Sequence, residues 1–175
     1  MARLVDDLLN LAKLDQGRSL ERRPVDVSSL VADAARDAAA VDPSREIHTQ
    51  LNGPVIVSGD EDRLRQVIAN IVGNALVHTP AGASIDLNVT ANATDASIAV
   101  RDHGQGMAPD VAARVTQRFY RADRARSRDR GGSGLGMSIA DAAVNAHGGE
   151  IVVDSEVGHG TTVTVTLPLA VTPRA

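Results

Sequence analysis

Between positions 64 and 76 the chain carries an unbroken apolar stripe: Leu64, Val67, Ile68, Ile71, Val72, Ala75 and Leu76, at spacings of three and four. That period belongs to an α-helix with one face committed to a core. Asp60 stands where it can cap the start, and Thr79-Pro80 ends the run, because a residue before proline is driven out of helical geometry. On either side the apolar period changes to two. Residues 47–51, 55–57, 84–90, 97–102, 150–155 and 161–167 predict short strands, with Ile85, Leu87, Val89, Ile98 and Val100 pointing one way. A hairpin turn is expected at Asn92 to Asp95. Further helices are predicted from Ser28 or Ser29 as cap to about Ala40, over 109–115 with proline in the first turn, and over 135–146, ended by His147-Gly148-Gly149. Hairpins and crossovers mix in this order. The expected fold is α/β (α+β), a two-layer sandwich with one mixed sheet and helices on one face.

Composition supports a buried core and removes several classes of function. Of 175 residues 43% are hydrophobic and 23% charged, which argues against disorder. One Phe, one Tyr and no Trp leave no aromatic platform for stacking single-stranded bases. Eighteen basic residues against 22 acidic ones give a net charge of −4, so no uniform basic footprint points to nucleic acid. Without Cys there is no disulfide, thiolate metal site or Cys nucleophile, a state compatible with the cytoplasm. No run is long and apolar enough for a membrane span, and no export-signal pattern opens the chain. Residues 1–17 instead predict a helix with a wide apolar band, suited to a helical partner or to packing on its own domain, ended by Gly17.

Four local patterns carry chemistry. In Asn70-Ile71-Val72-Gly73-Asn74 two amides at i, i+4 share one face of the striped helix, and His78 extends that face. Asn is a weak helix former, and an amide carbonyl suits Mg²⁺, which prefers few protein ligands plus phosphates and water. The plainer alternative is that both amides bond neighbouring loops. Asp102-His103-Gly104-Gln105-Gly106 follows a strand. Its carboxylate can accept from an exocyclic amine such as that of adenine, and its glycines allow a planar ring to approach closely; alone it equally describes an ordinary turn. Gly131-Gly132-Ser133-Gly134-Leu135-Gly136 precedes a helix, whose free N–H groups suit phosphate. A Rossmann dinucleotide loop fails on context, since neither glycine cluster follows the first strand of a βαβ unit. Finally, Arg118-Phe119-Tyr120-Arg121 holds every aromatic residue, among seven Arg between 114 and 130. It has the look of a lid; most of its Arg read equally as a solvated charged loop.

In this order and spacing the four patterns resemble the ATP-binding catalytic domain of bacterial sensor histidine kinases, in the GHKL or Bergerat superfamily. Asn70 to Asn74 resembles the N box, Asp102-x-Gly104-x-Gly106 the G1 box, Arg118 to Arg121 the F box, and Gly132-x-Gly134-x-Gly136 the G2 box. Gly158-His159-Gly160-Thr161-Thr162 before the last strand also matches. Arg3 to Leu9 is similar to the end of the second helix of the family's dimerisation hairpin.

The resemblance implies roles. Asp102 would accept from the adenine amino group, favouring ATP over GTP. Asn74 would hold Mg²⁺, with Asn70 and His78 near the triphosphate. Gly104 and Gly106 would shape the base pocket, and Gly132, Gly134, Leu135 and Gly136 the phosphate end. Arg118, Arg121 and Arg130 would neutralise the transferring γ-phosphoryl, where electrostatics does most of the catalysis. Two positions depart from the pattern: Val77 stands where many relatives carry a basic residue, and Thr116 replaces the first Phe of the usual F-box pair.

The expected organisation is 1–23 as hairpin end and linker, 24–170 as ATP-binding domain and 171–175 as tail. The expected activity is transfer of the ATP γ-phosphoryl to a His on a dimerisation hairpin of the homodimer, and thence to a response-regulator receiver domain. No acceptor His is expected in these residues: His48, His78, His103, His147 and His159 read as surface, cap or pocket residues. The fragment is therefore expected not to phosphorylate itself. It would be the cytoplasmic part of a membrane-anchored sensor, touching neither nucleic acid nor membrane. The alternatives are a GHKL-type ATPase or a nucleotide-gated binding module. Against the ATPase, Asn70 stands where such relatives carry a Glu general base.

Overall fold

The structure, a computed structural model, describes residues 20–117, 120 and 134–170. The expected helix over 1–17 and the tail 171–175 lie outside them. Strand β1 (Arg23–Asp26) leads into helix α1 (Val27–Val41), then strands β2 (Ile47–Leu51) and β3 (Ile56–Gly59), and helix α2 (Glu61–His78). Strands β4 (Ile85–Ala91) and β5 (Asp95–Asp102), the short helix α3 (Pro109–Ala112), helix α4 (Gly136–Ala146) and strands β6 (Glu150–Glu156) and β7 (Gly160–Pro168) follow.

Five strands form one mixed sheet in the order β2-β4-β5-β7-β6. β2 runs parallel to β4, with α2 inside the connection, and the other neighbours are antiparallel. β1 and β3 stand apart as a two-stranded antiparallel ribbon in which Val25 faces Val57. The predicted alternation holds: Ile85, Leu87, Val89, Ile98 and Val100 are buried, and the intervening residues face the other side. Across β5 and β7 this puts Ile98 beside Val165 and Val100 beside Val163. The stripe of α2 packs into the same core, from Leu64 and Val67 to Val72 and Ala75. Each such aliphatic side chain contributes about 1.5–3 kcal/mol by leaving water. Among the described residues no helix is long and apolar enough to cross a membrane.

Helix starts show what the sequence left open. Asp60 caps α2 as expected, accepting from Arg63 N–H at 3.2 Å. For α1 the cap is Asp26 rather than Ser28 or Ser29. Its carboxylate accepts from Ser28 N–H at 3.0 Å, from the Ser29 hydroxyl at 2.7 Å and from Val55 N–H at 3.1 Å. A carboxylate accepts several bonds at once, whereas the Ser28 hydroxyl is spent on Gly53 O at 2.8 Å. At its far end α2 stops at Thr79, which is extended before Pro80. The chain beyond is held from beneath by buried Arg45, which donates to Pro80 O, Ala83 O and Thr79 O at 2.8, 3.1 and 3.3 Å and pairs with Asp42.

Candidate functional site

The C-terminal half of α2 is where the chemistry-bearing patterns meet. Asn70 and Asn74 are half-buried on its flank, and His78 is exposed at its last residue. Two segments distant in sequence close on this flank. The first is the loop after β5. Asp102 Oδ1 accepts from Gly104 N–H at 2.9 Å, folding the loop back over its own carboxylate. A Cβ on Gly104 would lie 2.7 Å from Asp102 Oδ1, 3.4 Å from Thr79 Cα and 3.6 Å from His78 O. Asp102, Gly104 and the end of α2 therefore share one wall with no room for a side chain at Gly104. The Gly104 bond engages Oδ1, and a carboxylate has a second oxygen, Oδ2, with lone pairs of its own.

The second segment is the start of α4. Asn70 Nδ2 donates to Gly136 O at 3.0 Å, and a Cβ on Gly136 would meet the Asn70 amide at 3.6 Å. Gly134, at φ +70°, makes the turn into the helix, and Leu135 beside it is fully buried against Ile139. For Asn70 the amide does bond a neighbouring segment, as the plainer alternative had it; its carbonyl oxygen is the atom left for other partners. The N, G1 and G2 patterns thus converge on one helix. Arg118, Arg121, Arg130 and Gly132 lie outside the described residues. Tyr120 is half-buried, with the Arg114 guanidinium 4.8 Å from its ring centre.

The β6–β7 hairpin forms the floor of the loop after β5. Gly106 has φ +63°, and a Cβ there would lie 1.9 Å from Glu156 O; Gly160 has φ +85°, and its Cβ would lie 2.0 Å from Asp102 O. Only glycine fits either place, for conformation and for space. Gly158 N–H donates to Gln105 O at 2.8 Å. The Ser155 hydroxyl accepts from Met107 N–H at 2.8 Å and lies 3.0 Å from Gly160 O and 2.9 Å from Thr161 Oγ1. With one proton and two lone pairs it can satisfy all three by donating to Gly160 and accepting from Thr161.

Ser155, Thr79 and Arg45 were not singled out by motif reasoning. Ser155 sits in ordinary strand alternation and Thr79 looked only like a helix stop. Their one sequence signal is a proline or glycine within three residues: Pro80 after Thr79, Pro43 before Arg45 and Gly158 after Ser155. Thr79 is 4% exposed, and its buried hydroxyl oxygen has no hydrogen-bond partner among the described residues. Such a buried atom is costly unless something completes it. Among the described residues no group of three or more His, Cys, Asp or Glu could hold a metal. A cation here would lean on amide carbonyls, water and the ligand's own oxygens.

A family model for "Histidine kinase-, DNA gyrase B-, and HSP90-like ATPase" matches residues 59–171. The probable sensor histidine kinase TcrY of Mycobacterium tuberculosis is 43% identical over 170 residues, covering 97% of this chain and 36% of that protein. The sensor histidine kinase WalK of Bacillus subtilis is 38% identical over 179 residues, covering 96% and 28%. The chain spans about a third of the length of these curated relatives. Among solved structures, full-length ShkA in complex with AMPPNP has a TM-score of 0.82 at 31% identity, over 96% of this chain and 35% of that one. The mycobacterial sensor histidine kinase MprB has a TM-score of 0.74 at 25% identity, over 85% and 97%. The matched region opens at the turn before α2 and takes in every pattern that converges on that helix, and the chain belongs to the family of histidine kinase-, DNA gyrase B- and HSP90-like ATPases.

Proposed function

We propose that this chain is the ATP-binding catalytic part of a sensor histidine kinase. It would present Mg-ATP to a His on the dimerisation hairpin of its own homodimer, and the phosphoryl group would pass on to an Asp of a response-regulator receiver domain. The observation that carries the reading is the convergence on α2. On one side are Asp102, Gly104 and Thr79; on the other, the glycine-bounded start of α4 joined to Asn70.

The residues present suit the nucleotide. The Asp102 carboxylate would accept from an adenine amino group, which GTP lacks at that position. Gly104 lets the loop close on Asp102 and the end of α2, Gly106 lets it pack on the β6–β7 hairpin, and the buried Thr79 hydroxyl would offer a polar partner beside the base. A helix N-terminus favours anions, so the start of α4 would take the phosphate end, and Gly132, Gly134, Leu135 and Gly136 are assigned to it. Asn74, on the same helix as Asn70 and His78, would hold Mg²⁺ through its carbonyl. When bound, such an ion would supply charge neutralisation to the triphosphate.

Chemistry then consists of breaking the β–γ P–O bond as a P–N bond forms to the acceptor imidazole, with ADP leaving. Arg118, Arg121 and Arg130 are assigned to the charge of the moving phosphoryl group. Asn70 cannot accept a proton from water, so hydrolysis by this chain alone should be slow.

Calorimetry of Mg-ATP binding to the wild type and to Asp102→Ala, with GTP as competitor, tests the reading. Binding that the substitution abolishes and GTP leaves untouched is the expected result. A folded wild-type chain that binds no ATP, or that takes GTP equally well, would overturn it.

A further inference from the structure

His147 follows α4 directly and is 3% exposed. Its ring is wedged against Gly59, where a Cβ would lie 2.9 Å from the imidazole Cδ2. Nδ1 lies 2.7 Å from Ala143 O, and Nε2 lies 3.0 Å from Asp60 N, whose N–H points at it. A carbonyl only accepts and a backbone N–H only donates. These two partners therefore specify one form of the ring: neutral, with the proton on Nδ1. An imidazolium would aim a second N–H at the Asp60 N–H.

The two bonds join the C-terminal end of α4 to the N-terminal cap of α2. The Asn70–Gly136 bond joins the same helices at the other end of α4. From Asp60 to Asn70 is ten residues and from Gly136 to His147 eleven, about 15 Å and about 16.5 Å at 1.5 Å per residue. The two pins thus match in span and fix the register of an antiparallel pair. Arg22, on the segment leading into β1, reaches the same joint, donating to Ser58 O at 3.3 Å and to Ala146 O at 3.2 Å.

We infer that His147 is a positioning residue. In its neutral Nδ1–H form it locks α4 lengthwise against α2, and so sets where the glycine-bounded start of α4 stands relative to Asn70; protonation releases the lock and weakens ligand binding at that remote end. The groups around the ring agree with this. Burial disfavours the charged form. The Ala143 carbonyl favours it, Arg22 opposes it, Asp60 of the α2 cap favours it and Arg63 of α2's first turn opposes it, leaving the ring below the ordinary His range. A His held neutral in the fold stabilises it above the ordinary His pKa, and the contribution fades as pH falls through the lower native value.

The joint itself is tested without nucleotide, by NMR on the whole chain. At about pH 7.5 the His147 Nδ1 should carry the proton and Nε2 should be bare. On lowering to about pH 5, the Gly136 amide and Asn70 side-chain signals should shift in the wild type. They should stay fixed in His147→Gln, which keeps an acceptor for Asp60 but cannot titrate. The other tautomer, or signals that move equally in both proteins, would overturn the inference. The functional consequence rests on the nucleotide reading above. Between the same two pH values Mg-AMPPNP affinity should fall at least about fivefold further for the wild type than for His147→Gln. The comparison between proteins cancels titration of the nucleotide. An equal fall in both would reduce His147 to a structural cap. If neither protein binds nucleotide at any pH, the nucleotide reading fails and the NMR experiment still decides the joint. His147→Asn, which keeps only the Nδ1-type donor, should behave as the protonated wild type does.

Discussion

The side-chain amide of Asn70 donates to the carbonyl oxygen of Gly136 at 3.0 Å, across 66 residues of chain. One bond thus ties the middle of α2 to the first residue of α4, the two elements to which the phosphate end is assigned above. Asn70→Asp keeps the shape and removes the donor, setting a carboxylate against a carbonyl. It should cost about 1–2 kcal/mol in urea denaturation. Nucleotide affinity should fall with it, because negative charge is brought to the place assigned to the triphosphate. Unchanged stability would mean that the bond contributes nothing to the docking of α4.

Two glycines should respond to the same substitution in opposite directions. Gly106→Ala would put a Cβ 1.9 Å from Glu156 O at a φ of +63°. The loop carrying Asp102 must then move off the β6–β7 hairpin, at a cost of about 3 kcal/mol or more. Gly73 lies inside α2 with nothing within 4 Å of a built Cβ. Gly73→Ala should therefore raise stability by about 0.5–1 kcal/mol through the backbone entropy of glycine in a helix. Thermal unfolding of both variants measures the contrast.

The α1 cap gives the fold an acid limb. Burial raises the Asp26 carboxyl, but bonds from the Ser29 hydroxyl and from the Val55, Ser28 and Ser29 N–H groups outweigh it and hold the carboxyl below its ordinary 3.8. A carboxyl depressed in the native state stabilises above its unfolded value, and the contribution is lost as pH falls through the lower native one. Asp26→Ala should thus cost about 1–2 kcal/mol near neutral pH. The difference from wild type should shrink towards zero near about pH 2, as followed by denaturant titrations at the two pH values.

Thr79 separates a structural role from a binding one. Its buried hydroxyl has no hydrogen-bond partner among the described residues, so Thr79→Val removes an unsatisfied group at nearly constant shape. The melting temperature should stay level or rise, by up to about 1 kcal/mol of stability. Mg-ATP affinity should weaken by about fivefold to tenfold if the ligand completes that hydroxyl. A stable variant with undiminished affinity would remove Thr79 from the site.

The sequence by itself determined the elements and their faces. The stripe of α2, the alternation of β4 and β5, the Asp60 cap and the stop at Thr79-Pro80 are all local. Periodicity and backbone sterics act over a few residues, so they are legible without neighbours. The order of the four patterns likewise carried the family, because it is a one-dimensional property. What only the tertiary structure decided is who meets whom. Pairing β1 with β3 outside the main sheet depends on where the two strands are brought, not on their pattern. Gly106 and Gly160 are obligatory because carbonyls of Glu156 and Asp102, remote in sequence, occupy the space a Cβ would need. His147 looked like one cap residue among five histidines until folding set Asp60 N–H, 87 residues away, against its second nitrogen. Asp26 displaced the expected serine cap because Val55, brought in by the ribbon, gave its carboxylate another donor. Such bonds join groups that are polar and unremarkable in isolation. Their partners are fixed by packing of the apolar faces, and no local pattern records them.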